Sequence, residues 1–259
     1  MTAAADVIRS LSEPGRRAGL VMDFDGVLAP IVEDPAASRP LDGTLEVLEE
    51  VARRLDVVAL VSGRPAAFLA DRAPVPGVDL YGSYGVEHWV DGAAQVLPEV
   101  DRWRPVVHDA RDRLANDLDD VAGLHLEDKG LAVAVHWRRA TDPAAAEGRV
   151  TAAVAAICAD TGLHHEPGKM VAELRPPVQQ DKGTALRRIV ADARLEVVAY
   201  AGDDRGDLPA FAAVGELGGH ALVVHGPDMA PEVAAVAGTS FDGPAEVLAW
   251  LRDLARALA

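Results

Sequence analysis

Two aspartates spaced two residues apart are the first candidates for chemistry in this chain. Asp23 and Asp25 lie in the run Asp23-Phe24-Asp25-Gly26, directly after an apolar stretch. An aspartate carboxylate can attack a phosphate ester and form an aspartyl-phosphate, and a second carboxyl group nearby can donate and remove protons. The alternative is a helix N-cap or an Asx turn, where Asp and Gly are common. A tetrapeptide alone favours that alternative, so residues further along the chain must decide.

Three more aspartates supply candidate metal ligands. Mg²⁺ takes one or two carboxylates together with water and substrate phosphate. Asp203 and Asp23 are the best candidates for such ligands, and Asp204 and Asp207 follow closely enough to support a metal or phosphate. Asp207 also fits the N-cap of a helix that begins at Leu208 with proline in its first turn.

A lysine and a serine complete the set that phosphoryl transfer needs. Lys182 follows Asp181, a candidate N-cap, so it lies in a first helical turn, where the dipole disfavours a cation by about 0.3–1 kcal/mol. Attraction of a phosphate is one reason for this placement, and a solvated surface lysine is the other. Ser62, beside the open backbone of Gly63, could donate to a phosphate or cap the helix that begins at Pro65.

The elements that carry these residues alternate between strand and helix. Runs rich in Val, Leu and Ala predict buried parallel strands at residues 19–25, 56–62, 78–83, 196–202 and 221–225. Helices are predicted at residues 42–55, 65–72, 181–194, 208–214 and 244–258. This order predicts an α/β fold with a doubly wound, Rossmann-like parallel sheet, which binds ligands beyond the carboxyl ends of its strands.

The middle of the chain has a different pattern. From about residue 99 to residue 177 the order helix, strand, strand occurs twice, which predicts an inserted α+β cap of two αββ units. We therefore expect a catalytic core formed by residues 1–99 and 178–259 and a cap formed by residues 100–177. Strand alternation gives the cap sheet one apolar face and one charged face. A solvated face and a polar lid over the core are equally consistent with this pattern.

Composition narrows the function classes. The 259 residues are 49% hydrophobic and 25% charged, as in an ordinary globular protein. The formal charge of −16 argues against binding nucleic acid or an anionic membrane. Cys158 is the only cysteine, which excludes an intrachain disulfide and a multi-thiolate metal site. With no signal-like or membrane-length apolar run, we expect a cytoplasmic monomer that acts on a small molecule.

The motifs, in their order along the chain, resemble those of the haloacid dehalogenase-like phosphatase superfamily. They are Asp23-x-Asp25-x-Val27, Ser62, Lys182 and Gly202-Asp203-Asp204-x-x-Asp207. Over nearly its whole length the chain resembles the trehalose-6-phosphate phosphatase family within it. The further matching segments are Val61–Arg64, Tyr81–Glu87, Glu127–Lys129, Val135–Arg138, Gly168-Lys169 and Glu173–Pro176. The chain departs from the family at Val27, where Thr is usual, and at Gly206-Asp207-Leu208-Pro209, where Thr-Asp-Glu-Asp is usual.

The resemblance implies Mg²⁺-dependent hydrolysis of trehalose 6-phosphate to trehalose and phosphate. Asp23 would be the nucleophile and Asp25 the acid and base. The metal would be held by Asp23, the backbone carbonyl of Asp25, and Asp203. The residues expected to bind the sugar phosphate are Arg64, which we place in the crevice, and the cap residues Glu127, Arg138, Lys169 and Glu173.

Three other functions are compatible with the same residues. A phosphatase of another glycosyl phosphate, such as glucosylglycerol phosphate or a pseudo-disaccharide phosphate, would differ only in the cap. A receiver-type signalling domain also combines an Asp pair, Mg²⁺ and a Lys, but it needs neither a cap nor an acid at Asp25. A catalytically dead sugar-binding relative is disfavoured, because no catalytic position is missing.

Overall fold

The computed structural model describes residues 3–32, 34–168, 170–227 and 229–259. The chain divides into two compact units, which we call the core unit (residues 1–95 and 180–259) and the inserted unit (residues 96–179). The roles expected for these two parts, catalytic core and substrate cap, remain predictions.

The core unit is built on an eight-stranded sheet. Its strands in chain order are β1 (Ala18–Met22), β2 (Val57–Val61), β3 (Val78–Gly82), β4 (Glu87–Val90), β5 (Ala93–Val96), β10 (Val197–Gly202), β11 (His220–Val224) and β12 (Thr239–Phe241). Its helices are α1 (Ala3–Leu11), α2 (Thr44–Ala52), α3 (Ala66–Arg72), α7 (Lys182–Ala193), α8 (Leu208–Glu216), α9 (Pro231–Ala234) and α10 (Pro244–Ala257).

The sheet is doubly wound, as predicted. Its strand order is β12-β11-β10-β1-β2-β3-β4-β5, and the strands from β12 to β3 run parallel. The chain adds β2 and β3 on one side of β1 and later adds β10, β11 and β12 on the other. The winding therefore reverses between β1 and β10, and ligands bind at such a reversal in open α/β sheets. Because Met22 pairs with Ala201, Asp23 and Asp203 emerge at nearly the same level of the sheet.

Both faces of this sheet are covered. Leu20 and Met22 pack in one apolar cluster with residues of α1, α2 and α10, and Val21 packs in a second cluster with residues of α7 and α8. Every residue of β1 is buried. This explains why the strand has a continuous apolar sequence instead of an alternating one.

The inserted unit contains α4 (Pro98–Asp101), α5 (Arg104–Asp117), β6 (His125–Asp128), β7 (Val133–His136), α6 (Pro143–Thr161), β8 (His164–Gly168) and β9 (Val171–Arg175). Its four strands form an antiparallel sheet in the order β6-β7-β9-β8. Val133, Val135 and Leu174 pack with the apolar side chains of α5 and α6. The charged residues alternate with them on the other face, as the sequence pattern predicts.

The strands at the two edges of the core sheet are not predicted by the sequence pattern. The antiparallel β4 and the short β5 extend the sheet beyond β3, and β12 closes the other edge. β4 is only half-buried and most of β5 is exposed. Neither strand therefore has the long apolar run that predicts a buried strand. No helix in the described ranges combines the length and apolar character needed to cross a membrane.

Candidate active site

The candidate active site begins where β1 ends. Asp23 is the first residue after β1, and its N–H donates to the carbonyl oxygen of Ala201 on β10 at 2.9 Å. This bond extends the pairing of the two strands by one residue and fixes the backbone beneath the carboxylate. Asp23 is only 5% exposed, so its charge lies within the protein.

Four aspartates converge at this edge of the sheet. Asp23, Asp203, Asp204 and Asp207 each offer a carboxylate oxygen, and these oxygens all lie within 4.8 Å of one another. Gly26 makes this approach possible: its φ is +75°, and a Cβ there would lie 2.0 Å from Oδ2 of Asp203. The sequence therefore places a glycine where a side chain would displace a candidate metal ligand.

Lys182 is the cation of this cluster. Its Nζ donates to Oδ2 of Asp23 at 2.6 Å and to Oδ1 of Asp207 at 2.7 Å, and the residue is 2% exposed. Burial alone would lower the pKa of Lys182, but the two carboxylates outweigh burial and raise that pKa above its ordinary value. Lys182 is therefore a fixed buried charge, and the surface-lysine alternative is wrong.

Asp207 is the anchor of the lysine. Its Oδ1 also accepts from the Tyr200 hydroxyl at 2.6 Å, and its Oδ2 accepts the N–H groups of Asp203 at 2.9 Å and Asp204 at 3.1 Å. Burial raises the pKa of Asp207, but Lys182 and these hydrogen bonds lower it by more, so the pKa falls below its usual value. The side chain of Asp207 therefore holds the loop after β10 in place. It makes no hydrogen bond that caps α8, although the sequence is compatible with such a cap.

The acidic cluster has the properties of a cation site. Burial is the largest cause that raises the pKa of Asp23 to about 7, with Asp207 adding to it and Lys182 opposing it. Burial, followed by the charges of Asp23, Asp207 and Asp204, raises the pKa of Asp203 to about 8. Two buried carboxylates thus share one lysine, with Asp203 and Asp204 beside them. This all-oxygen donor set suits a hard divalent cation such as Mg²⁺.

Asp25 is held apart from the acidic cluster. Arg64 donates from Nε to its Oδ2 at 2.8 Å and from Nη2 to its Oδ1 at 3.1 Å, and the buried Ser38 hydroxyl donates to Oδ1 at 2.7 Å. The hydrogen bond to Asp25 raises the pKa of Arg64. Arg64, which we expected to bind substrate, therefore fixes the position of the candidate acid. The contact of Ser38 was not predicted, because no sequence feature near Ser38 indicates it.

Ser62 follows β2 and is almost completely buried, with 2% exposure. Its Oγ accepts the N–H of Arg64 at 3.2 Å. It does not cap α3, because the first N–H of that helix, on Ala66, donates to Oε2 of Glu87 at 2.7 Å. Glu87, at the end of the matching segment Tyr81–Glu87, thus has a structural role that sequence reasoning did not assign.

The expected sugar-binding residues lie in the inserted unit. Oε2 of Glu127 accepts from Nε2 of His136 at 2.9 Å, and Glu173 accepts from Lys129 at 2.5 Å. Arg138 lines a cavity of about 280 Å³ within this unit, together with Gly123, His125, His136 and Arg139. Lys169 lies outside the described residues.

Comparisons with known sequences agree with the motifs. A profile of the family described as trehalose-phosphatase matches residues 21–238. The chain is 33% identical to the trehalose-phosphate phosphatase of Mycobacterium marinum, covering 100% of this chain and 67% of the relative. It is 35% identical to that of Mycobacterium avium, covering 93% and 63%. The chain thus spans about two thirds of the length of these relatives.

Solved structures extend the likeness to the fold. A trehalose-6-phosphate phosphatase of Aspergillus fumigatus matches with a TM-score of 0.71 at 25% identity, covering 98% of this chain and 97% of that one. A haloacid dehalogenase-like hydrolase from Bacteroides thetaiotaomicron matches in fold, with a TM-score of 0.63 at 15% identity and coverage of 92% and 100%. With its ordered motifs and a profile match over most of its length, this chain belongs to the trehalose-phosphatase family.

Proposed function

We propose that this chain hydrolyses trehalose 6-phosphate to trehalose and inorganic phosphate, with Mg²⁺ as its cofactor and Asp23 as its nucleophile. The observation that carries the proposal is the buried contact between Asp23 and Lys182, within an acidic cluster at the switch point of the sheet. Family membership supports the substrate, because the curated relatives are named for it.

The metal would be held by oxygen atoms from two strand ends. Asp23 and Asp203 have neighbouring carboxylates, and the backbone carbonyl of Asp25 is the third ligand that we propose. Mg²⁺ at this position would supply positive charge that neutralises the phosphate oxygens during transfer. Asp204 supports the cluster from the same loop, while both oxygens of Asp207 are already bound within the protein.

The chemistry that we assign to the side chains has two steps. In the first, a carboxylate oxygen of Asp23 attacks phosphorus, the bond from phosphorus to the sugar oxygen breaks, and Asp25 protonates that oxygen. In the second, Asp25 takes a proton from water, which attacks phosphorus and breaks its bond to Asp23. Inorganic phosphate leaves, Asp23 is free again, and Asp25 has regained the proton that it gave to the sugar oxygen in the first step.

The surrounding residues keep these two carboxyl groups in place. Lys182 holds one oxygen of Asp23, while Arg64 and Ser38 hold the carboxylate of Asp25 from two sides. The buried Ser62, with Gly63 beside it, would orient a phosphate oxygen. Preorganised charges of this kind accelerate a reaction because they need no rearrangement as the transition state forms.

We assign recognition of the sugar to the inserted unit. Its open sheet face carries Glu127, Lys129 and Glu173, which can hydrogen bond to hydroxyl groups, and Arg138 belongs to the same set. Lys169 is included on the family resemblance. Different side chains on this face would select a different glycosyl phosphate while the core unit kept the same chemistry.

A substrate panel tests the proposal. Phosphate release is measured from trehalose 6-phosphate, glucosylglycerol phosphate and glucose 6-phosphate, each with Mg²⁺ and with a chelator. We expect the highest kcat/KM for trehalose 6-phosphate, loss of activity in chelator and recovery when Mg²⁺ is restored. A higher kcat/KM for another glycosyl phosphate would show that trehalose 6-phosphate is not the preferred substrate. Full activity in chelator would show that the reaction does not need Mg²⁺.

A further inference from the structure

Tyr84 is an exposed aromatic residue beside the candidate active site. Its 43% exposure is high for a large apolar side chain in this protein. The N–H of Tyr84 donates to the carbonyl oxygen of Ser62 at 2.8 Å, which ties its backbone directly to the loop after β2. The ring therefore stands close to the site while much of its surface is open to solvent.

The backbone around Tyr84 is held in an unfavourable conformation. Ser83, Tyr84 and Gly85 all have left-handed φ values, of 50°, 58° and 87°, which residues with a side chain seldom adopt. Hydrogen bonds hold the segment in place: Ser83 N–H donates to the carbonyl oxygen of Arg64 at 2.8 Å, and Arg188 donates to that of Gly85 at 2.7 Å. Strain that the surroundings maintain in this way is common at binding sites.

Gly63 makes room for the ring, and Gly206 lies beside it. A Cβ on Gly63 would lie 2.9 Å from Cζ of Tyr84, and a Cβ on Gly206 would lie 3.7 Å from Cε1. Gly63 follows Ser62, and Gly206 lies in the turn after Asp203 and Asp204. The ring thus lies next to two loops that both carry residues of the candidate site.

An open, uncharged aromatic surface next to a phosphate site suits the part of a substrate that adjoins the phosphate. In a sugar phosphate that part is a pyranose ring, whose axial C–H groups form an apolar face. We propose that Tyr84 is a specificity-determining residue that packs against the pyranose ring bearing the phosphate. The inference rests on the proposed function and adds to it a residue of the core unit that selects for a sugar ring.

The test compares a substrate that has a pyranose ring with one that has none. Steady-state kinetics are measured for wild type, Tyr84→Phe, Tyr84→Leu and Tyr84→Gln, with trehalose 6-phosphate and with acetyl phosphate. All three replacements keep a Cβ at the same left-handed position, so they retain the backbone strain. Leu217→Ala, at an exposed apolar residue that ends α8, is the control for general surface effects.

We expect Leu and Gln at position 84 to raise KM for trehalose 6-phosphate about tenfold, because lost apolar contact weakens binding, with kcat changed less than about twofold. The ratio of kcat/KM for trehalose 6-phosphate to that for acetyl phosphate should then fall by the same factor. Phe should keep the wild-type ratio, and so should Leu217→Ala.

Two outcomes would overturn the inference. One is an unchanged ratio in both Tyr84→Leu and Tyr84→Gln. The other is an equal loss with both substrates, which would mean that Tyr84 only supports the loop. A wild-type enzyme that hydrolyses acetyl phosphate but not trehalose 6-phosphate would instead overturn the proposed function, and this inference with it.

Discussion

The core unit and the inserted unit place the same kinds of charged residue in opposite surroundings. Lys182 and Asp207 pair in the core unit with side chains 3% and 0% exposed, whereas Lys129 and Glu173 pair on the inserted sheet with 42% and 25% exposed. Removing one partner of a buried pair leaves an uncompensated charge, while an exposed pair breaks at little cost. The buried set is therefore suited to chemistry in a fixed geometry, and the exposed set to contacts that exchange with a ligand.

The largest effect should come from the nucleophile in the buried set. Asp23→Asn removes the oxygen that attacks phosphorus, so we expect phosphate release to fall by about 10⁴-fold or more. The fold should persist, because asparagine keeps the shape and relieves repulsion with Asp203. Phosphate assays measure the loss of activity, and far-UV circular dichroism measures whether the fold persists. Phosphate release at the wild-type rate would show that Asp23 is not the nucleophile.

Removing the buried lysine should affect both stability and activity. Lys182→Gln leaves Asp23 and Asp207 without their shared cation, so we expect the free energy of unfolding to drop by about 3–5 kcal/mol. Urea denaturation measures that drop, and phosphate release should become undetectable. A loss of unfolding free energy below about 1 kcal/mol would mean that the ion pairs of Lys182 contribute no more than exposed pairs. The two units would then not differ in the strength of their ion pairs.

Metal binding should reveal the repulsion among the clustered carboxylates. The pKa values of Asp23 and Asp203 are raised from 3.8 to about 7 and about 8, so the folded protein without metal retains protons that the unfolded chain releases. The contribution of these two groups to stability therefore falls as pH rises from about 4 to about 8. We expect Mg²⁺ to raise the melting temperature more at pH 8 than at pH 5, because it neutralises the ionised carboxylates.

Differential scanning fluorimetry with Mg²⁺ or chelator at both pH values measures this effect. Asp203→Asn is the matched control, since it removes one carboxylate and should reduce the Mg²⁺ shift at pH 8. An equal shift at both pH values in the wild-type protein would contradict a cation site at these residues.

The smallest effect should come from the exposed pair. Lys129→Gln should lower the free energy of unfolding by less than about 1 kcal/mol. If the inserted unit recognises the sugar, KM for trehalose 6-phosphate should rise a few-fold while kcat stays near the wild-type value. Steady-state kinetics and urea denaturation are again the measurements. A loss of kcat as large as that of Lys182→Gln would place chemistry on the inserted sheet and erase the difference between the two regions.

The sequence alone is enough to predict the parallel sheet and to place the site at the carboxyl ends of its strands. Apolar runs that end in Asp23, Ser62 and Asp203 are buried strands, and parallel strands present their carboxyl ends at one edge, so these residues had to lie near one another. The doubly wound fold and the two faces of the inserted sheet follow from the same local periodicity. The half-buried β4 and the exposed edge strand β5 lack that periodicity and escaped prediction.

Only the tertiary structure shows which polar groups bind one another. Arg64 pairs with Asp25 across 39 residues, and Lys182 reaches Asp23 across 159. Ser38 and Tyr200 have no local feature that marks them, yet each donates to a carboxylate of the site. Periodicity tells which face a side chain occupies, but its partner depends on which donors and acceptors share the same desolvated space. Packing sets that competition, because a buried polar group without a partner is costly.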